Sequence, residues 1–263
     1  MDLGLRGKVA LVVASSKGLG RAVAEELAIE GAGIAMCARG ENDLNRARDE
    51  IARNHNADVI AIAGDVSKPD DTERIARAAL EHFGRVDILV ANAGGPPSAK
   101  FESITPEMWD KTVDQTLMSA INLTRILLPQ MRERKWGRII NITSITVKQP
   151  VEGLMLSNSI RAAVTGFART LANEVARDGI TVNNILPGYT RTERVEQLAG
   201  AIAARDGISA DNARAAWESE IPMGRLGEPH EFAALAAFLA SERASYITGT
   251  SITVDGGWTK GLL

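Results

Sequence analysis

The sequence predicts an α/β fold: a doubly wound, mainly parallel seven-stranded sheet with helices on both faces. Three observations lead there. Short apolar, β-branched runs alternate with longer helical patterns along almost the whole chain. The runs are apolar without alternation, as in parallel strands covered on both faces by helices. No linker or low-complexity stretch divides the 263 residues, which therefore read as one domain.

Taken in order, "KVALVVA" (8–14) is the first strand, followed by a glycine-rich turn and the helix "GRAVAEELAIEGA" (20–32). "GIAMCA" (33–38) is the second strand, and a charged helix covers 41–54. "DVIAIAGD" (58–65) leads to a helix over 70–83, and "VDILVANAG" (86–94) supplies the fourth strand. One long helix is expected over 107–134, then the strand "GRIINIT" (137–143) and an amphipathic helix over 154–178. "ITVNNILPG" (180–188) is the sixth strand. A polar, Ala-rich insertion (189–221) follows it, then a helix over 228–241 and a last strand, "SITVD" (251–255). Because the insertion starts at the carboxyl end of a strand, where ligands of such sheets bind, it is expected to form a mobile substrate lid.

Composition narrows the function classes. Hydrophobic residues make up 45% and charged residues 24%, the balance of an ordinary globular protein with a full core. A formal net charge of −3 recruits neither nucleic acid nor an anionic membrane, and no apolar run approaches the ~20 residues of a membrane span. The first residues, "MDLGLRGK", lack the apolar core of a signal peptide, and the single Cys37 suits a reducing compartment. A cytoplasmic protein with a small-molecule substrate is the expectation. His55, His82 and His230 fall on helix patterns, and no cluster has metal-ligand spacing, so no metal is expected.

The chemistry starts at "VVASSKGLGRAVA" (12–24), where Gly18 and Gly20 lie between a strand and a helix. Glycines there let the backbone approach a pyrophosphate, and the helix N-terminus offers free N–H groups and a positive dipole end. From these two residues alone, a tight turn without a ligand is an equal reading.

The turn, with "GDV" (64–66), "ANAG" (91–94), "PG" (187–188) and the stretch "PMGRLGEPHEFAALAAFLASERASYITGTSITVDGG" (222–257), resembles the short-chain dehydrogenase/reductase family. The likeness covers almost the whole chain, and members this similar overall commonly carry a 3-oxoacyl-reductase label. It implies a Rossmann-type dinucleotide-binding domain over 1–263. The family's turn reads Thr-Gly-x-x-x-Gly-x-Gly; Val13 and Ala14 stand at the first two places, and the extra methyl of Ala14 requires the turn to avoid a glycine-only conformation. The resemblance places Ser15, Lys17, Gly18, Leu19, Asp65, Val66, Asn92, Ala93, Gly94, Pro187, Gly188, Thr190 and Thr192 against the cofactor. Charge bears on which cofactor. An acid at the end of strand two would hold the NAD ribose, but Ala38 stands there with Arg39 beside it, and Lys17 adds a second cation. NADP(H) is favoured over NAD(H).

The resemblance also implies a catalytic set of Asn, Ser, Tyr and Lys, and here this chain departs from the pattern. Ser144 in "NITS" (141–144) keeps the serine, but Ser157 stands thirteen residues on at the tyrosine's place and Arg161 at the lysine's, one turn later on the same helix face. The asparagine's place falls on Thr116. A serine hydroxyl is far less acidic than a phenol, and arginine keeps its charge rather than relaying a proton. Arg161 can still hold the ribose or stabilise an oxyanion. Of the two tyrosines, Tyr246 reads as structural, whereas Tyr189 follows the Pro-Gly and could lean over a substrate. Lys148 and Glu152, between Ser144 and Ser157, lie close enough to enter the pocket; for them and for Tyr189 the plainer reading is a solvated loop residue. The expected function is an NADP(H)-dependent interconversion of a carbonyl and a secondary alcohol. The alternative is a catalytically impaired nucleotide-binding or sensor protein on the same fold. The resemblance further implies a homodimer or homotetramer built on the two long helices. Their apolar residues (Leu123, Ile126 and Leu127; Val164, Phe167 and Leu171) read equally as internal core.

Overall fold

The structure, a computed structural model, describes residues 2–262. Seven strands, β1 (Val9–Val13), β2 (Gly33–Ala38), β3 (Val59–Ala63), β4 (Ile88–Ala91), β5 (Gly137–Ile142), β6 (Ile180–Pro187) and β7 (Ser251–Val254), form one sheet in the order β3-β2-β1-β4-β5-β6-β7. Every pairing is parallel. The chain winds outward from β1 to β3, returns to β4 beside β1, and winds outward the other way. A crevice therefore opens beyond the carboxyl ends of β1 and β4, where the winding reverses.

The helices are α1 (Gly18–Ile29), α2 (Glu41–His55), α3 (Pro69–Phe83), α4 (Pro106–Thr112), α5 (Ser119–Glu133), α6 (Met155–Val175), α7 (Glu193–Asp206), α8 (Ala210–Glu220) and α9 (Pro229–Ala240). Successive strand residues go to opposite faces, and both faces are dry. Ala10 and Val12 join a core with Val23 of α1, Leu44 of α2 and Phe232 of α9. Val9, Leu11 and Val13 join a second core with Ile75 of α3, Leu127 of α5 and Leu171 of α6.

Two expectations are corrected, for the helix over 107–134 and for Tyr246. The helix expected over 107–134 is continuous in direction but not in type: a π-helical segment, Val113–Met118, separates α4 from α5. Thr112 Oγ1 donates to Met108 O at 2.7 Å and Ser119 Oγ to Gln115 O at 2.7 Å, so two hydroxyls bond carbonyls one turn back around the segment. Apolar spacing cannot report such a register change. The insertion 189–221 contains α7 and α8 and carries a third core, in which Val195, Ala199, Ala213 and Trp217 pack with Ile145, Leu186 and Trp258. Tyr246, expected to be structural, is fully exposed. On the long helices, Leu123, Leu127, Val164 and Leu171 are buried within the chain, and Ile126 and Phe167 are partly buried against the second core. Among the described residues, no helix is long and apolar enough to cross a membrane.

Candidate active site

A cleft of about 670 Å³ runs across the carboxyl ends of β1, β4, β5 and β6, roofed by the start of α7. At one end, the turn after β1 is shaped by three residues. Gly20 has no room for a side chain, since a Cβ would come within 2.3 Å of Ala14 O; this contact brings α1 down onto the turn. Gly18 has φ +60°, and a Cβ there would lie 3.8 Å from Thr192 Cγ2. Ala14 has φ +52°, correcting the expectation that the turn avoids a glycine-type conformation: the backbone keeps the left-handed geometry with the methyl in place. The N-cap of α1, Lys17, has no side-chain cap, leaving first-turn N–H groups toward the cleft.

Ser16, Lys17, Gly18, Leu19, Arg39, Asp65, Val66, Asn92, Ala93, Gly94, Pro187, Gly188, Thr190 and Thr192 all line the cleft. Ser15 does not, and this is a correction. It is fully buried, with its Oγ donating to Val12 O and accepting from Cys37 N, so it fastens β1 to β2 while its neighbour Ser16 faces the cleft. Sequence spacing could not choose between adjacent serines at a sharp turn. Asp65 accepts from Ser67 N and Oγ. Burial pushes its carboxyl pKa up, but these bonds with Arg39 and Lys68 outweigh that and hold it below the ordinary value. Lys17 reaches across the cleft mouth to Glu193 at 2.5 Å, and that hydrogen bond raises its pKa.

At the other end, Ser144, Ser157, Arg161 and Tyr189 share the cleft wall. Ser144 sits at the end of β5, its Oγ accepting from Thr146 N at 3.2 Å. Ser157 and Arg161 lie one turn apart on α6, both buried. Arg161 Nη1 donates to Ile142 O (2.8 Å) and Thr143 O (2.9 Å), and Nη2 to Ala93 O (3.4 Å), so the guanidinium ties α6 to β5 and to the turn after β4. Burial, with the nearby Arg194, lowers its pKa to about 10, and it remains a cation at neutral pH.

Thr116 lies behind the main cleft. It belongs to the π segment and opens not into the main cleft but into a cavity of about 10 Å³ behind it, room for one water. Its Oγ1 and Asn141 Oδ1, both on that cavity, have no hydrogen-bond partner among the described residues. Tyr189 is pinned rather than poised: its ring stacks on Trp217 (centroids 4.6 Å) and meets Trp258 edge-on. Burial, with Glu220, raises its phenol pKa, so it holds its proton. Lys148 and Glu152 are exposed and off the cleft wall. His55 and His82 pair with Glu25 and Asp58 on the surface side of helices.

A glycine turn on β1, an asparagine turn on β4 and a Ser144–Ser157–Arg161 wall between β5 and α6 form one site that can be compared with known proteins. The family model for enoyl-(acyl carrier protein) reductase matches residues 13–259. The chain belongs to the short-chain dehydrogenase/reductase family. These are oxidoreductases acting on carbonyl and alcohol substrates. The 3-oxoacyl-[acyl-carrier-protein] reductase of Vibrio cholerae is 35% identical over 97% of this chain and 98% of its own. The D-beta-hydroxybutyrate dehydrogenase of Cupriavidus necator is 37% identical over 97% and 98%. The crystal structure of L-sorbose reductase from Gluconobacter frateurii, complexed with NADPH and L-sorbose, superimposes with a TM-score of 0.95 at 36% identity over the full length of both chains.

Within this family member the structure adds cleft residues that sequence reasoning missed. Gln115 donates from Nε2 to Gly94 O at 3.2 Å, steadying the turn after β4. Arg194, second residue of α7, donates from Nη2 to Pro96 O at 2.8 Å and lines the same cleft. The available signal was the cation-rich "TRTER" (190–194) directly after the Pro-Gly, which the reading of 189–221 as polar insertion absorbed.

Proposed function

We propose that the protein is an NADP(H)-dependent oxidoreductase that interconverts a carbonyl and a secondary alcohol, with Ser157 and Arg161 replacing the family's tyrosine and lysine. One observation carries this reading: Ser144, Ser157 and Arg161 lie on one wall of the cleft whose other end keeps the glycine turn. The residues fit a dinucleotide. Gly18 leaves the turn open toward the cleft, the α1 N-terminus has no side-chain cap, and Arg39 and Lys17 border the mouth without a carboxylate at Ala38. Ser16 to Gly20 would hold the pyrophosphate, Asn92 to Gly94 and Arg161 the nicotinamide ribose, and Arg39 with Lys17 a 2′-phosphate.

When bound, the cofactor supplies or accepts the hydride. This chain's own residues serve the oxygen. The hydroxyls of Ser144 and Ser157 can donate to a substrate oxygen, and Arg161 adds a positive charge, present at neutral pH, in a buried wall where charge stabilisation is strong. The site is therefore built to lower the energy of an alkoxide rather than to deliver a phenolic proton; the proton that completes the alcohol would come from solvent water through the Ser157 hydroxyl, and would leave by the same route in oxidation. Residues 189–221 serve as the substrate cover, in this reading a preformed one.

The test is NADPH consumption with a panel of ketones and 3-oxoacyl thioesters, after NADPH binding has been measured directly. Turnover that falls at least tenfold in S144A and S157A is expected. Binding of NADPH with no consumption across the panel, and activity appearing only in the S157Y/R161K double variant, would replace this reading with that of a nucleotide-binding protein.

A further inference from the structure

The catalytic end of the cleft holds more positive charge than a neutral substrate needs. Arg161 reaches the turn after β4 from α6, donating to Ala93 O. Arg194 reaches the same turn from α7: its Nη2 donates to Pro96 O, and a side chain at Gly95 would meet its Nε at 3.0 Å. Two guanidiniums thus converge on residues 93–96. All the hydrogen bonds described for them go to backbone carbonyls, which leave the net charge in place. Burial lowers the pKa of both, Arg194 lowers that of Arg161 further, and no carboxylate opposes either shift. Three acidic residues line the cleft: Asp43 and Asp65 follow β2 and β3, and Glu193, next to Arg194 on α7, is paired with Lys17. The same cleft is lined by Ser144, Ser157, Val151, Leu154, Gln197 and Leu198. Partly buried like charges without a counter-ion are costly, and a ligand anion would relieve that cost.

We propose that Arg194, backed by Arg161, forms an anion subsite beside the two serines, and that the substrate is a carbonyl or alcohol compound carrying a carboxylate. This rests on the oxidoreductase reading above. The other source of an anion is the cofactor's own phosphate. Placement favours the substrate: Thr192 faces the glycine turn, whereas Arg194, two residues on, turns to the loop after β4. A guanidinium fork binds a carboxylate through two parallel hydrogen bonds, which would fix the carbonyl relative to Ser144 and Ser157.

The test pairs 2-oxo and 3-oxo acids of three to eight carbons with their methyl esters, at saturating NADPH, for the wild type, R194Q and R194K. The wild type should favour acid over ester by tenfold or more in kcat/KM. In R194Q that ratio should collapse toward one through the acids' KM, with the KM for NADPH held within twofold, and R194K should recover part of it. A wild type that favours esters, or an R194Q variant that weakens NADPH while keeping the ratio, overturns the subsite. If no compound is reduced, calorimetry of the NADP⁺-loaded protein with the matching hydroxy acids and hydroxy esters decides separately. Binding of acids but not esters, lost in R194Q, upholds the subsite even where the redox reading fails. No binding of any acid overturns it.

Discussion

Ala14 shows how one residue's identity and its conformation carry different information. A methyl at the family's first glycine suggests a displaced turn, yet the backbone is held at φ +52° because Gly20 packs against Ala14 O. A left-handed non-glycine residue costs roughly 1–2 kcal/mol, partly offset by its smaller loss of chain entropy. A14G is therefore expected to stabilise the protein by about 0.5–1 kcal/mol, raising Tm by about 1–3 °C in thermal unfolding. A Tm that falls would show that the methyl contributes packing instead. Arg161 makes the second prediction at this scale. With its pKa lowered to about 10 by burial, its charge is fully present at pH 7 and is lost only as pH rises through about 10. The pH profile of kcat/KM should show no basic limb from this residue below about pH 9. A lysine starts near 10.4 and meets the same burial, so R161K should bring a basic limb below about pH 9. An unchanged profile in R161K would remove Arg161 from contact with the reacting atoms.

At the scale of elements, α7 and α8 changed most between sequence and structure. Val195 and Ala199, and Ala213 and Trp217, are each four residues apart, a helical spacing present in the sequence but diluted by charged neighbours. Their common core with Trp258 makes the cover a packed layer, and its hold on the glycine turn is the exposed Lys17–Glu193 pair. Such pairs add little stability, but this one occupies a cation proposed for the 2′-phosphate. E193Q should leave Tm within about 1 °C while tightening NADPH and leaving NADH unchanged, as read by equilibrium titration of both. Equal effects on the two nucleotides would place Lys17 outside phosphate recognition. The π segment belongs to this scale too: it turns Thr116 toward Asn141 rather than into the cleft, which no count of apolar positions could report.

For the whole molecule, the cleft is assembled from four strand ends and the roof of α7, so a ligand filling it ties together parts far apart in the chain. A nucleotide that binds only the folded protein stabilises it by about 2.7 kcal/mol at a hundred times its Kd. Thermal unfolding should shift upward with NADPH concentration, and by less with NADH at equal concentration. A larger shift with NADH would reverse the cofactor assignment made from Arg39 and Lys17.

The sequence by itself determined the sheet, because apolar β-branched runs such as "KVALVVA" and "GRIINIT" are local signals that need no knowledge of their neighbours. It also determined the family, since motifs in fixed order and spacing survive in a linear reading. Only the tertiary structure decided which of Ser15 and Ser16 faces the cleft, that Thr116 lies behind it, and that Tyr189 is locked against Trp217. It alone brought Arg194 near Arg161, residues 33 positions apart on different helices whose arginines both reach the turn after β4. Side-chain direction and long-range approach are set by packing between elements, and packing is the quantity that spacing along one chain does not contain.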